Sequence, residues 1–363
     1  MIAFILIVST GAYLAFVSFI IVGLFKHSYQ PINAFKESPF ISIIIAARNE
    51  ETYLPNLIQD LVKQEYPTDK LEVIIIDDRS TDSTQEIISE AESNYSFIKQ
   101  IKITETSQEI MPKKNALTQG INEATGEIIL STDADCRVGK LWVASMAYSI
   151  IKNQGISIGY SKVIAHSFFD HYQRIDFLGI IAANTGAGGW DKFWSGTGQN
   201  LGYLKRDFEL INGFESVKHE VSGDDMYLVQ SISKINNAVI NIEPASFVTT
   251  YGMKTIGEFL NQRIRWASNS KKNWEKEPLF FLFLSLAFSI NFSILLSIFL
   301  GGNEWKFVFL LKFIFEGITV YCGARLFETQ IKLFPYIIWS LAQPFYIPFV
   351  AISGILNQYN WKK

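Results

Sequence analysis

Two aspartates, Asp133 and Asp135, are the residues of this sequence whose type and spacing best suit a catalytic or metal-binding role. They follow the short apolar run Ile128–Leu130, which is flanked by polar residues and predicts a buried strand. In an extended segment, side chains two residues apart point to the same face. Two carboxylates so close repel each other unless a cation lies between them. A hard divalent cation shared with a phosphate is the natural candidate, and an Asp-rich turn is the alternative.

Polar and acidic residues also follow two earlier predicted strands. The apolar, β-branched run Ile41–Ala46 leads to Asn49–Glu50, and the run Leu71–Ile76 leads to Asp77–Asp78. Continuous runs of this kind are typical of parallel strands buried on both faces. Ligands bind outside the carboxyl ends of such strands, so the three strand ends together predict a ligand site.

The elements between these strands predict how the ends are brought together. An amphipathic helix begins at Leu54 and stops before Pro67, a further strand lies near Ile98–Ile103, and a helix covers Lys113–Ala124. Alternating strands and helices form right-handed βαβ units and therefore a doubly wound, mostly parallel α/β sheet. The sequence contains neither G-x-G-x-x-G after the first strand nor G-x-x-x-x-G-K-[ST], which disfavours a dehydrogenase or a P-loop enzyme.

Composition narrows the class of partner. The 363 residues are enough for more than one domain, and the net charge of −3 does not suggest a nucleic-acid partner. The two cysteines, Cys136 and Cys322, lie far apart in the sequence and do not form a disulfide framework. This pattern fits a reducing compartment.

The N-terminal run Ile2–Phe25 carries no charge and is long enough to span a bilayer. A cleaved signal peptide is the competing interpretation. The basic residues Lys26 and His27 follow the run rather than precede it, which favours a retained anchor. Positive charge on that side predicts that the following residues lie in the cytoplasm.

The C-terminal quarter repeats this signal in three apolar runs, with Lys312 and Glu316 the charges of the middle one. Since these two residues are four positions apart, they share one helical face, which is expected to contact protein or water. The runs are Leu279–Leu300, Phe307–Ala324 and Phe334–Leu356. With four spans both termini lie outside, so the terminal Lys362–Lys363 conflicts with the positive-inside rule.

Six segments, in order, resemble the family 2 glycosyltransferases of GT-A fold. More narrowly, they resemble the membrane-bound branch with cellulose, chitin and hyaluronan synthases and ceramide glucosyltransferase. The resemblance extends from Ile41 to Trp266. The segments are IIAARNEE, VIIIDDRSTDST, KKNALTQGINEATGEIILSTDAD, SGTGQNLGYLKRDFELINGF, GDDMYLVQSI and QRIRW.

The resemblance implies a site for a nucleotide-sugar donor, usually a UDP-sugar, with Mg²⁺ or Mn²⁺. Its donor-site residues begin with Ala46, Arg48 and Glu50 of the loop after the first strand. Asp78, with its neighbour Asp77, is assigned to the uracil base, and Lys113 is assigned to the diphosphate. The pair Asp133 and Asp135 completes the donor site. Asp135 is the expected direct metal ligand. Ala46 stands where the family often has Pro, and Pro112 where it has Gly.

The resemblance also implies acceptor and catalytic residues. Those near the acceptor are Gly198, Gln199, Asn200, Gln262 and Trp266; those of the catalytic step are Asp225 as the base, Asp224, Arg265 and Trp266. Asp224 replaces the family's Glu, which leaves its own role open. Arg265 resembles a diphosphate contact. A Trp also suits a sugar ring, because it offers a flat apolar surface with an N–H group.

Simpler interpretations of the same residues remain open. Asp77, Asp78 and Asp82 are also typical turn or cap residues, and Asp224–Asp225 is also a typical helix N-terminal cap. Trp266 lies in an amphipathic, basic stretch and is also a candidate membrane-interface anchor.

The sequence therefore predicts an inverting glycosyltransferase that acts on a lipid or short glycan acceptor at the cytoplasmic face of the inner or plasma membrane. The predicted domains are an anchor (1–29), a cytoplasmic GT-A domain (30–254), an amphipathic interfacial helix (255–278) and a transmembrane region (279–363). The alternatives are a processive β-polysaccharide synthase that exports its product and an inactive membrane scaffold.

Overall fold

The computed structural model describes residues 2–29, 31 and 37–360. Within that range the chain divides into two compact units. We call residues 28–162 and 195–251 the sheet unit, and residues 1–27, 163–194 and 252–363 the helical unit. The predicted boundary residue Gln30 and the terminal Lys362–Lys363 lie outside the described residues. The predicted domain boundaries stay a prediction.

The strands, given in chain order, are short. They are β1 (Ile41–Ala47), β2 (Leu71–Asp78), β3 (Ile98–Ile103), β4 (Ile128–Ser131), β5 (Arg137–Val138), β6 (Gly155–Ile158), β7 (Ser161–Ile164), β8 (Leu201–Leu204), β9 (Asn237–Ile240) and β10 (Val248–Tyr251). The described part of the chain forms a seven-stranded sheet of order β3-β2-β1-β4-β8-β6-β9 and a small sheet of order β5-β10-β7. In the parallel part of the large sheet, β1, β2 and β4 are mainly apolar.

The helices flank the large sheet or belong to the helical unit. They are α1 (Ile2–Leu24), α2 (Leu54–Val62), α3 (Thr84–Asn94), α4 (Pro112–Glu123), α5 (Trp142–Asn153), α6 (Phe168–Gly188), α7 (Lys205–Leu210), α8 (Asp224–Ile235), α9 (Ile256–Ser268), α10 (Ser270–Lys276), α11 (Pro278–Phe299), α12 (Trp305–Leu326) and α13 (Leu333–Ile355).

The register of the large sheet places three strand ends at one edge. β1 pairs in parallel with β2, so Ala47 lies opposite Asp77, and with β4, so Ile44 lies opposite Ser131. β2 also pairs in parallel with β3, whereas β8 is antiparallel to β4 and β6. The core against which these strands pack is mainly aliphatic, which explains the continuous apolar runs in their sequences. The predicted mostly parallel α/β sheet is confirmed.

Four helices among the described residues are long and apolar enough to cross a membrane. They are Phe4–Leu24, Pro278–Phe299, Trp305–Leu326 and Leu333–Ile355. Each corresponds to a span predicted from the sequence. Lys312 and Glu316 are buried and form an ion pair of 2.7 Å between Nζ and Oε2, and the Tyr13 hydroxyl donates to Glu316 Oε1 at 2.6 Å. The expectation that this charged face contacts protein is confirmed.

Helix α6 belongs to the helical unit, together with these apolar helices, although its residues lie within the predicted GT-A range 30–254. It packs against α1, α12 and α13. Its start is fixed by a capping box in which Ser167 and Asp170 satisfy each other's backbone N–H groups.

Candidate active site

The loops after β1 and β2 are joined by hydrogen bonds between their side chains and backbone. Asn49 has a φ of 58°, and its Oδ1 accepts from the Thr81 N–H at 2.8 Å. The Asn49 N–H donates to Ser80 Oγ at 3.0 Å, and the Glu50 N–H donates to Thr84 Oγ1 at 2.8 Å. The loop that carries Arg48 and Glu50 is therefore fixed by the loop that follows Asp78. The sequence signals this only through an Asn suited to left-handed backbone.

Asp77 and Asp78 have different environments. Asp77 is buried and its Oδ1 accepts from the Ser80 N–H at 3.0 Å, so the turn interpretation holds for it. The Asp78 carboxylate is paired with the guanidinium of Arg79, at 2.8 Å from Nε and 3.2 Å from Nη2. Arg79 has a φ of 60° and also donates to Thr106. No sequence pattern indicates that Arg79 pairs with Asp78, the residue predicted to bind the uracil base.

Asp133 and Asp135 lie in a turn, not in the extended segment assumed from their spacing. β4 ends at Ser131, and the Cys136 N–H donates to the Asp133 carbonyl at 3.1 Å. The two carboxylates nevertheless interact: burial, and then the charge of Asp133, raise the pKa of Asp135 to about 6. The prediction of a like-charged pair after the buried strand is thus retained, while its geometric reason is wrong.

Lys113 provides a positive charge among the carboxylates of this region. Its Nζ lies 3.0 Å from Asp133 Oδ1 and 3.9 Å from Asp224 Oδ2. Burial alone would lower the pKa of Lys113, but Asp133, Asp224 and Asp225 outweigh it, so the pKa is raised. The ammonium therefore stays charged. It stands in the first turn of α4, at the edge where β4 ends.

Asp224 and Asp225 are the first two residues of α8, and neither is its N-cap. The cap position is Gly223, whose φ of 83° suits a glycine. Asp225 Oδ2 accepts from the Gly198 N–H at 3.2 Å and Oδ1 accepts from the Met226 N–H at 2.7 Å. Burial, and then the charge of Asp224, raise the pKa of Asp225 to about 6. The N-cap alternative is therefore wrong for this pair.

These residues line one cleft of the sheet unit. Its polar lining comes from Lys113, Thr132, Asp133, Asp224 and Asp225, and its apolar wall includes Ala46 and Leu117. Gly198 closes one side: a Cβ added there would lie 3.5 Å from Lys113 Nζ. Next to it, the Gln199 Nε2 donates to Thr250 Oγ1 at 3.1 Å.

Asn200 makes structural contacts in the core, and the acceptor role that the resemblance implies for it stays a prediction. It is fully buried, and its Nδ2 donates to the carbonyls of Tyr160 at 2.9 Å and Ser246 at 2.8 Å. Its Oδ1 accepts from Trp142 Nε1 at 3.0 Å. Both N–H groups of the amide are therefore used within the protein, and its oxygen already accepts one hydrogen bond.

Gln262, Arg265 and Trp266 belong to the helical unit, on α9. A capping box between Thr255 and Glu258 fixes the start of this helix. Gln262 and Trp266 both contact Arg263: the guanidinium donates to Gln262 Oε1 and lies 4.3 Å from the Trp266 ring centroid.

The pair Asp133 and Asp135, of which Asp133 lines the cleft, fits a divalent cation. Among the residues that the structure describes, no group of three or more His, Cys, Asp and Glu side chains is arranged for a metal. Asp135 and Asp133 therefore supply at most two protein ligands. Mg²⁺ and similar hard cations are commonly bound in this way, with water and substrate phosphate completing the shell. Burial is the larger cause of the raised pKa of Asp135 and the charge of Asp133 the smaller one, and a bound cation would favour the ionised carboxylate.

The fold is that of an α/β protein with a charged cleft at the edge of its sheet, and comparison with known proteins gives the family. The family model described as Glycosyl transferase family 2 matches residues 42–209, from β1 through α7. The chain contains a family 2 glycosyltransferase domain. The predicted family is confirmed.

Three curated relatives and one solved structure illustrate the similarity. The probable glycosyltransferase YdaM of Bacillus subtilis is 27% identical over 241 residues, 65% of this chain and 56% of that protein. A poly-beta-1,6-N-acetyl-D-glucosamine synthase of Staphylococcus epidermidis is 27% identical over 62% of this chain and 53% of its own length. A beta-monoglucosyldiacylglycerol synthase of a Nostoc species is 41% identical over 28% of this chain and 21% of its own length.

The similarity thus spans about half the length of the longest-matching curated relatives. The mannosyltransferase PcManGT of Pyrobaculum calidifontis, solved with GDP-Man and Mn²⁺, superposes with a TM-score of 0.64 at 18% identity, covering 99% of this chain and 100% of that one. This likeness confirms the GT-A fold.

Proposed function

We propose that the protein transfers a sugar, with inversion, from a nucleotide diphosphate donor to a membrane lipid or short glycan. The donor is a UDP-sugar, and the reaction takes place at the cytoplasmic face of the membrane. One observation carries the proposal: Lys113, Asp133, Asp224 and Asp225, which are distant in sequence, line one cleft beside the carboxyl end of β4.

Asp225 is the proposed base. Inverting attack requires an acceptor hydroxyl to lose its proton on the face of the sugar opposite the leaving group. The two backbone N–H donors from Gly198 and Met226 fix the carboxylate of Asp225 in one orientation. Its raised pKa, about 6, makes it a stronger base than an ordinary Asp and leaves it ionised at neutral pH.

Lys113 and the Asp133–Asp135 pair are proposed to bind the diphosphate. A divalent cation on the two carboxylates would supply positive charge for the departing phosphate oxygen. Lys113 lies 3.0 Å from Asp133, so its ammonium is within reach of any phosphate that shares this site. The resemblance assigns Arg265 to the same diphosphate and Arg48, Glu50 and Asp78 to the remainder of the donor.

The acceptor class is supported by the membrane helices and by the relatives. Four candidate spans place the chain in a membrane, where a lipid is locally abundant. One relative is named for glucosyl transfer to diacylglycerol, and another for polymer synthesis. A narrow set of four spans favours a single or short transfer over an exported polymer.

The test is a donor screen on detergent-purified, full-length protein with Mn²⁺. We expect one UDP-sugar to be consumed, with GDP-sugars as the matched comparison, and Asp225→Asn to lack that turnover. Extracted membrane lipids serve as acceptors, and products are analysed by mass. A product one sugar heavier than a lipid supports the proposal, whereas a long glycan supports the synthase alternative. No turnover with any donor, in detergent and in vesicles, would contradict it.

A further inference from the structure

Arg263 stands between Gln262 and Arg265 in the Gln-x-x-Arg-Trp segment, at a position to which the resemblance assigns no role. It is 6% exposed, which is unusual for an arginine. Its guanidinium contacts two members of the segment: it donates to Gln262 Oε1, and it lies over the Trp266 ring at 4.3 Å from the centroid. The side chain of Arg263 therefore contacts two residues that the resemblance assigns to the acceptor.

Arg263 is fixed in turn by Asp176 of α6. Its Nε lies 2.7 Å from Asp176 Oδ2, and Asp176 is 5% exposed. The other carboxylate oxygen, Oδ1, accepts from Trp339 Nε1 of α13 at 3.0 Å. Asp176 thus links the segment's helix α9 to the membrane helix α13.

The Trp266 ring has a further aromatic contact. Phe177, the neighbour of Asp176 on α6, lies 6.0 Å from Trp266 between ring centroids. Phe259, one turn before Arg263, places its ring 4.6 Å from the guanidinium. A cation between two rings gains attraction from both when it is desolvated. Helix α6 therefore contributes both the carboxylate that orients Arg263 and a ring that contacts Trp266.

A contribution to the stability of the fold is a weak explanation for the buried ion pair between Arg263 and Asp176. Replacing a buried ion pair by well-packed neutral groups is often neutral or stabilising, whereas removing one partner costs several kcal/mol because a buried charge is left uncompensated. The ion pair does hold the planar guanidinium of Arg263 in one orientation.

We propose that Arg263 and Asp176 are positioning residues for acceptor use, holding Gln262 and Trp266 in the orientation that transfer requires. This inference rests on the proposed function, and it adds two residues and the anchoring helix α13 to it. Neither residue touches the reacting atoms. Their loss should impair transfer to the acceptor while leaving donor binding, and the slow hydrolysis of donor by water, near normal.

The test compares transfer with hydrolysis in purified full-length protein. For Arg263→Lys, which keeps the charge but not the planar fork, we expect the acceptor KM to rise or transfer to fall by about 10- to 100-fold, the size of effect of a small misplacement. UDP affinity should change less than twofold. Trp339→Phe, which removes one hydrogen bond to Asp176, should show a smaller effect of the same kind.

The double variant Arg263→Gln with Asp176→Asn separates positioning from folding. Removing both charges should restore most of the thermal stability lost in either single variant. If positioning is the role, transfer stays impaired although stability returns. If transfer returns together with stability, the pair is merely structural and the inference is overturned.

Ile264→Ala is the matched control, because Ile264 is a buried neighbour on α9. It should lower thermal stability but leave the ratio of transfer to hydrolysis unchanged. A changed ratio in this control would contradict a specific role for Arg263. Failure of the proposed function itself is distinguishable, since the wild type would then turn over no donor.

Discussion

Asp225 is the residue whose environment most directly suggests a chemical task. Its two carboxylate oxygens accept from different backbone N–H groups, Gly198 and Met226. An Asn at this position offers only one acceptor oxygen, so one of these N–H groups would lose its partner. Asp225→Asn is therefore close in shape but not equivalent in hydrogen bonding, which the sequence alone did not reveal.

We expect Asp225→Asn to lower kcat by about 10²- to 10⁴-fold, the usual contribution of a general base, with donor affinity nearly unchanged. The ground state needs no base, whereas the transition state does. Asp224→Asn is the comparison and should cost less. Transfer rates and UDP-sugar affinities of both variants show which of the two residues is the base. If only Asp224→Asn lost turnover, the base would be misassigned by one residue.

The pKa of Asp225 also makes a prediction about stability. Because burial and the charge of Asp224 raise this pKa to about 6, the folded state binds its proton more tightly than the unfolded state. The contribution of the group to stability is therefore fullest below its ordinary pKa near 3.8 and is lost as the pH rises through about 6. An Asn at this position has no such loss.

Without metal, the stability of Asp225→Asn relative to wild type should thus increase between pH 5 and pH 8, by on the order of 1–3 kcal/mol. Thermal unfolding of both proteins at several pH values measures this difference. A constant offset between them would count against the raised pKa, whatever the size of the offset.

Asp135 is the proposed direct metal ligand. Asp135→Ala should abolish metal-dependent nucleotide binding while the protein still folds, because Lys113 remains paired with Asp133. Titrating UDP with and without Mn²⁺ on both proteins tests this. Equal metal dependence in the variant and the wild type would exclude Asp135 as a ligand.

At the scale of elements, Glu72 organises the end of the sheet opposite the cleft. It is buried on β2, and its Oε1 accepts from Ser42 Oγ at 2.5 Å and from the Thr125 N–H at 2.6 Å. Its Oε2 lies 2.7 Å from Lys99 Nζ. Thr125 joins α4 to β4, the elements that carry Lys113 and lead to Asp133. Glu72 thus sets the position of both elements relative to β1 and β2.

Glu72→Gln should destabilise the protein at pH 7 by about 2–3 kcal/mol, since an amide presents an N–H₂ group to buried donors. Burial alone would raise the pKa of Glu72, but Lys99 and the hydroxyl and backbone donors lower it to about 2. The stabilisation is therefore present above about pH 4.5 and is lost as the pH falls towards 2.

Thermal unfolding at pH 7 and at pH 3.5 checks this prediction. The difference between wild type and Glu72→Gln should shrink at the lower pH. The exposed pair Lys140–Glu65 offers a control, and Glu65→Gln should change stability by less than about 1 kcal/mol.

At the scale of the whole molecule, the prediction concerns sidedness. We expect residues 30–278 to face the cytoplasm and the turn Gly301–Glu304 to face outward, because Lys26, Arg325 and Lys332 share one side. Single cysteines at the exposed positions Glu86 and Asn303, introduced after replacing Cys136 and Cys322, can be labelled in intact cells with an impermeant reagent. Only Asn303→Cys should react, and reaction of Glu86→Cys would reverse the assignment.

The sequence by itself determined the elements and much of the site. The runs that became β1 to β4 and the four apolar helices depend on local patterns, and a strand that ends in Asp places that Asp at the sheet edge whatever else the chain does. For this reason Asp133 could be named in advance, whereas Lys113 and Asp225 were named from the resemblance alone.

Only the tertiary structure decided how residues distant in sequence meet. It places Lys113 beside Asp133 and Asp224, it encloses the amide of Asn200 in the core, and it groups α6 with the membrane helices. None of these follows from a pattern within one segment, because each depends on which side chains of other segments fill the surrounding space. Burial and pairing are properties of that packing, and they set the pKa of Asp225 and the position of Arg263.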